Sequence, residues 1–546
     1  MCPGEYPVKA RDTTVSELLH PFTARLRKIG KPPLPISEEL PLRSELFSAD
    51  QMELYGGILA ASHEVSSTRG TDQLLARLDD NEKTLFDIAN VLTEAVTADQ
   101  LLTPAGEWLY DNFYLIEEQI RTARRHLPKS YSRELPLLAN GTSANLPRVY
   151  DIALQAISHG DGRVDTESLM RFVAAYQAVA NLQLGELWAI PIMLRLALIE
   201  NLRRVGVHVA AGRIDRNLAD AWADEITSVA EKDPKSLVLV IADMARSDPP
   251  MTTPFISELA RRLQGQGPWL ALPLTWIEQR LAESNQTIDQ MVQLGNQQQA
   301  ADQVSVSNSI NSLRKLGGID WREFVETTSL VEQTLREDPD GVYGRMDFAS
   351  RDRYRHAVER LAKASPMSEV EVARLALRLA RQAEPHGNDS VSKHVGFYLI
   401  DQGVTELEEA AQVRVSLREK FWRAGRQYPL FCYLGAIALI TLSLTGLLVF
   451  EAYSGGASGW LLGAVGILAL FAMSQLAITL VNWVTPFLVR PHSLPRMDFS
   501  TGIPSTFETL VVVPTMLTNE AEVLDLIEAL EVRFLANRDD NLDFGL

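Results

Sequence analysis

The chain has 546 residues, 46% of them hydrophobic and 22% charged, the balance of a folded protein long enough for about three or four domains. Its net charge of −18 offers no basic surface to a phosphate backbone, which excludes nucleic-acid partners. Its two cysteines, Cys2 and Cys432, stand far apart with no CxxC or Cys/His cluster, which excludes a zinc centre or a disulfide framework.

Residues 1–42 are rich in proline and charge and read as a loosely ordered arm, without the apolar core of a secretory signal. From 43 to 427 the pattern is almost wholly helical and has no fixed repeat, so an irregular α-helical cytoplasmic region is expected. The segment 103–127 predicts one helix: Thr103 caps it and Pro104 suits its first turn. Leu109, Phe113, Ile116 and Ile120 form its apolar stripe. Asp165 caps a second long segment that Gly185 and Pro191 are expected to break. Further helices are predicted over 213–231, 256–264, 274–294, 321–337, 350–364 and 368–383, with a turn at Asp338-Pro339-Asp340-Gly341. The run 236–241 (SLVLVI) fits a strand or a helix equally. A last helix over 405–427 is expected to run into the next segment.

Residues 428–489 predict a transmembrane hairpin. The stretches 428–450 and 460–489 carry no charge, and about 20 apolar residues suffice to cross a bilayer. Arg414, Arg418, Lys420, Arg423 and Arg426 precede the first span, and Arg490 and Arg496 follow the second. Basic flanks stay in the cytoplasm, so both ends face inward and the loop 451–459 faces outward. Gly455, Gly459 and Gly463 recur at four-residue spacing, which fits either close helix approach or ordinary loop glycines. Gln475 and Asn482, seven apart, share a face expected to meet protein rather than lipid.

Residues 490–546 change character. The run 508–514 (ETLVVVP) suits a strand, 519–533 an amphipathic helix, and the segment from Asp543 a second strand. Strand, helix, strand is the opening unit of a parallel α/β domain, and its brevity leads us to expect more chain beyond Leu546.

Candidate chemistry elsewhere is sparse. From Asp161, an EF-hand would need glycine and glutamate where Thr166 and Phe172 stand, so 159–165 is a turn followed by a helix cap. Glu117 and Glu118 diverge by about 100° on a helix and suit surface pairing. Glu186 beside Trp188, and Glu200, fit either a sugar-binding carboxylate or packing. No HExxH, GxSxG or P-loop occurs, so no catalytic residue and no metal ligand is assigned in this chain.

Several stretches resemble the N-terminal portion of cyclic β-1,2-glucan synthases, the membrane glycosyltransferases of family 84. They are 107–120 (EWLYDNFYLIEEQI), 185–204 (GELWAIPIMLRLALIENLRR) and 299–326 (QAADQVSVSNSINSLRKLGGIDWREFVE), together with 338–362 and 509–537. The resemblance implies a bacterial inner-membrane enzyme that builds β-1,2-glucan from UDP-glucose. It makes 490–546 the incomplete beginning of a GT-A-like α/β domain, within a mainly α chain. It implies Pro514, Thr515 and Glu520 near the nucleotide sugar. Met516-Leu517-Thr518 separate Thr515 from Asn519-Glu520, a departure from the commoner P-T-Y-N-E. The complete enzyme would use UDP-glucose and a divalent metal. The partners implied are the lipid bilayer, the remainder of the synthase, UDP-glucose and the glucan chain. The other reading is a stand-alone membrane scaffold or regulatory protein without enzyme activity, which the half-built α/β unit argues against.

Overall fold

The computed structural model describes residues 39–66, 73–127, 131, 134–265, 267–383, 390–414, 428–488, 494–515 and 519–545. Most of the expected arm, Arg418 to Arg426, Arg490 and Met516 to Thr518 lie outside them. The fold is mainly α, and the chain divides into two units, Met1–Ser329 and Leu330–Leu546.

The first unit is built around one helix. Its elements are α1 (Ala49–Ser62), α2 (Gln73–Thr97), α3 (Pro104–Asp111), α4 (Phe113–His126), α5 (Arg148–His159) and α6 (Thr166–Gln177). These are followed by α7 (Leu184–Lys232), α8 (Leu237–Ser247), α9 (Thr253–Leu263), α10 (Ala271–Ala282), α11 (Ile288–Lys315) and α12 (Trp321–Thr328). The 49 residues of α7 extend about 74 Å. Its first half is mostly buried, with α2, α4, α5 and α11 against it, and its second half packs on α8 and α9. At Gly206 an added Cβ would come within 2.9 Å of Ile88 Cδ1, so glycine lets α2 approach α7 closely.

Several breaks differ from those expected. The segment 103–127 is two helices, because Asn112 turns its amide back to donate to the Trp108 carbonyl at 2.9 Å. Pro191 lies inside α7 and does not break it; it falls on a half-buried stripe with Trp188 and Arg195, and burial of the helix's other faces outweighs one missing N–H. The helix instead begins at a capping box, in which the Gln183 N–H donates to Glu186 Oε2 at 2.9 Å. The segment 274–294 is split between α10 and α11 by Asn285 at φ 55° and by a Thr287/Gln290 capping box. Ser329, in extended backbone, ends α12 within 321–337. The run 236–241 is helical.

The second unit holds α13 (Leu330–Leu335), α14 (Phe348–Lys363), α15 (Glu369–Gln382), α16 (Val395–Ile400) and α17 (Val404–Ala410) around their own core. The helix expected over 405–427 stops at Ala410, and Gln412 at φ 54° turns the chain; 415–427 lies outside the described residues. Next come α18 (Pro429–Ser454) and α19 (Trp460–Leu488), which pack on each other and are each long and apolar enough to cross a membrane. Tyr433 donates to Asn482 Oδ1 at 2.9 Å across this pair. Gln475 is exposed on its outside. Gly455 caps α18 and Gly459 turns at φ 63°, while a Cβ at Gly463 would meet nothing, so the glycine spacing serves the loop.

After the hairpin the chain returns to the helices of the same unit. Met497 bridges Met346, the Asp347 N–H donates to the Arg496 carbonyl at 2.9 Å, and the Asp498 N–H donates to the Arg345 carbonyl at 2.8 Å. Strands β1 (Thr509–Val512) and β2 (Leu542–Gly545) then pair in parallel through the crossover helix α20 (Glu520–Ala536).

Candidate functional site

The carboxylates that sequence reasoning left open are framework. Glu186 is fully buried; Arg148 donates to both its oxygens at 2.6 Å and also to the Asn181 carbonyl. Glu200 is equally buried. Arg77, Arg203 and Arg204 reach its Oε1 at 2.9–3.0 Å, and Asn81 donates to its Oε2 at 2.8 Å. Burial alone would raise the Glu200 pKa, but these guanidinium groups and the Asn81 bond outweigh it and hold the carboxyl at about 2. Glu117 sits at the surface, 3.8 Å from Arg121. The 159–165 segment is a turn, with Asp161 at φ 45° and Gly162 at φ 78°; Asp165 then accepts from the Ser168 N–H at 2.9 Å to cap α6.

Two further buried carboxylates gave no local signal. Glu332 accepts from Arg355 at 2.7 Å, Tyr343 at 2.6 Å and Arg336 at 2.9 Å. Asp338, in the predicted turn, accepts from the Val395 N–H at 2.9 Å, meets His394 Nδ1 at 2.7 Å and receives the Tyr343 N–H at 3.2 Å. Burial opposes its ionisation, and the His394 and backbone bonds override that to keep its pKa below the usual range. Glu186, Glu200, Glu332 and Asp338 each take three or more donors from their neighbours, which holds them as parts of the framework.

The α/β unit differs. Its strands expose apolar side chains: Leu510 and Val512 are 63% and 57% exposed. Leu524 and Ile527 on α20 are also open. Pro514 and Thr515 leave the carboxyl end of β1, exposed, and Glu520 is the first residue of α20. Asn519 caps that helix by accepting the Glu522 N–H at 2.9 Å. All three therefore lie at the strands' carboxyl edge, beside a helix N-terminus. In parallel α/β folds that edge is the ligand crevice, and the helix end favours an anion such as a phosphate.

No protein-family model matches the chain. It is 31% identical over 520 residues to the cyclic beta-(1,2)-glucan synthase NdvB of Rhizobium meliloti (strain 1021), an alignment that covers 92% of this chain. The chain is related to that synthase. It spans 18% of the synthase's length.

The stretches that resemble the glucan synthases build much of this framework. In 299–326 three serines of α11 are buried: Asn201 donates to Ser305 and Ser309 at 3.1 and 3.0 Å, and the Val164 N–H donates to Ser312 at 2.9 Å. Small hydroxyls there let α11 sit against α7 and the turn at Gly162. The stretch 338–362 supplies Asp338, Tyr343 and Arg355 to the clusters above. Among the described residues, no group of three or more His, Cys, Asp or Glu side chains could hold a metal ion.

Proposed function

We propose that this chain is the N-terminal, membrane-anchoring portion of an inner-membrane glycosyltransferase that transfers glucose from UDP-glucose into β-1,2-glucan. The observation that carries the reading is the relationship to the glucan synthase over 92% of the chain. The fold agrees with it: two membrane-length helices lead directly into a parallel β-α-β unit.

In this reading α18 and α19 cross the bilayer with both flanks in the cytoplasm. The basic flanks support that orientation. So does the pairing of Arg496 and Asp498 with Arg345 and Asp347, because it draws the segment after the hairpin onto the same helices that precede it. The β-α-β unit begins the transferase domain, and the remainder of the synthase covers its open apolar faces. A two-stranded sheet is marginal by itself, which favours an enzyme over a finished scaffold. Pro514 and Thr515 at the carboxyl edge, with Glu520 opening α20, border the UDP-glucose site. In this reading the ligands of a divalent metal and the catalytic base belong to other parts of the synthase, which also hold the glucan chain.

The test is glucosyl transfer by the native polypeptide. Immunopurified from source-cell membranes and given labelled UDP-glucose, it should form β-1,2-linked glucan. Absence of any glucan, with UDP-glucose left intact, would refute the proposal.

A further inference from the structure

A cleft of about 440 Å³ opens among α7, α9 and α11, within the size range of small-ligand sites. His208 lines it with a fixed ring. Its Nδ1 lies 2.7 Å from Asp302 Oδ2, and Asp302 is itself 4% exposed and reached by Arg43 at 3.3 Å. A carboxylate there holds the proton on Nδ1, so Nε2 is left as an acceptor, 2.9 Å from the Gln298 amide nitrogen. Arg216 lines the same cleft and makes no hydrogen bond or ion pair with another described residue. Burial, followed by the nearby Arg213, lowers its pKa against the pull of Glu258, Asp215 and Asp220. Gln299, Asn296 and Asp289 complete the polar lining.

These groups point to one ligand chemistry. Amides, carboxylates and a guanidinium offer donors and acceptors side by side, and a hydroxyl is both at once. The cationic groups are balanced: Glu258 is paired with Arg261, and Glu258, Asp215 and Asp220 act on Arg216. No net positive field remains to gather a polyanion. We propose that this cleft binds a neutral oligosaccharide, with Arg216 and Gln299 donating to its hydroxyls and the Asp289 carboxylate accepting from one. Taking that oligosaccharide to be the β-1,2-glucan chain rests on the function proposed above. Among the described residues no Phe, Tyr or Trp lines the cleft, so binding should be weak and suited to a chain that must move on.

The test is titration of the full chain in detergent with a β-1,2-linked glucotetraose up to about 10 mM, a weak-binding range, read by saturation-transfer NMR. We expect saturable binding, weakened at least tenfold in Arg216→Ala and in Gln299→Ala. Both side chains are half-buried and neither makes a hydrogen bond with another described residue, so their melting curves should stay close to the parent's. Failure of the tetraose to bind, equal binding by both variants, or stronger binding of UDP-glucose through Arg216 would each overturn the proposal. If the native polypeptide makes β-1,2-glucan while this titration fails, the cleft proposal falls alone. If no glucan is made while Arg216-dependent tetraose binding persists, the cleft proposal survives and the transferase reading falls.

Discussion

Replacing Glu200 by glutamine tests the buried framework at its most charged point. The mutation leaves Arg77, Arg203 and Arg204 around a neutral amide. Holding the carboxyl at about 2, against 4.5 for an ordinary glutamate, corresponds to about 3 kcal/mol of native-state preference for the ion. Glu39, paired with Arg203 and 3.6 Å from Arg204, offsets part of the loss. The variant should thus lose about 2–3 kcal/mol at pH 7, which lowers the melting midpoint by about 3–4 °C for a unit of this size. Circular dichroism of the detergent-solubilised chain measures it. The sign of the pH dependence follows from the depressed pKa: the contribution is complete above 4.5 and is lost as pH falls towards 2, so parent and variant should converge across that window. Glu117→Gln, at an exposed pair, should change stability by less than about 0.5 kcal/mol. A Glu200→Gln loss no larger than that of Glu117→Gln, or a gap independent of pH between 4.5 and 2, would refute the reasoning.

Three further outcomes follow from the second unit. Asp338→Ala strands the Val395 and Tyr343 N–H groups and His394, and should cost about 3 kcal/mol, seen as faster hydrogen exchange in α16. Asp498→Pro removes the N–H that donates to the Arg345 carbonyl, and should expose 494–507 to limited proteolysis while leaving the melting of α14 and α15 unchanged. Tyr433→Phe removes the side-chain bond from α18 to Asn482 of α19, and should weaken their pairing in bilayers by about 0.6 kcal/mol in a steric-trapping measurement.

The hairpin was legible because two uncharged stretches of membrane length have few other uses. Helix starts were legible wherever a cap is local, as at Thr103, Asp165 and Ser368, each of which accepts from an N–H three residues on. The strand at 509–512 and the helix after Asn519 were legible from periodicity, and parallel pairing from their order. The breaks were harder. Asn112 interrupts a continuous apolar stripe by a side-chain bond that the stripe does not reveal, whereas the break at Thr287 carries a local T-x-x-Q box. The fate of the carboxylates was not legible, because their partners are distant in sequence. Arg77 and Glu200 are 123 residues apart, and Arg43 and Asp302 are 259 apart. Polarity also misleads in α11, where Ser305 and Ser309 are fully buried against Asn201. At the carboxyl edge of β1, nothing but resemblance assigns a role to Pro514, Thr515 and Glu520.

The most direct test of the central claim is the size and location of the native polypeptide. Source-cell membranes would be immunoblotted with antibody raised against residues 43–425. A membrane-bound band several times larger than 60.7 kDa is the result predicted for the front portion of a synthase. A band near 60.7 kDa would contradict it and return the chain to the scaffold reading.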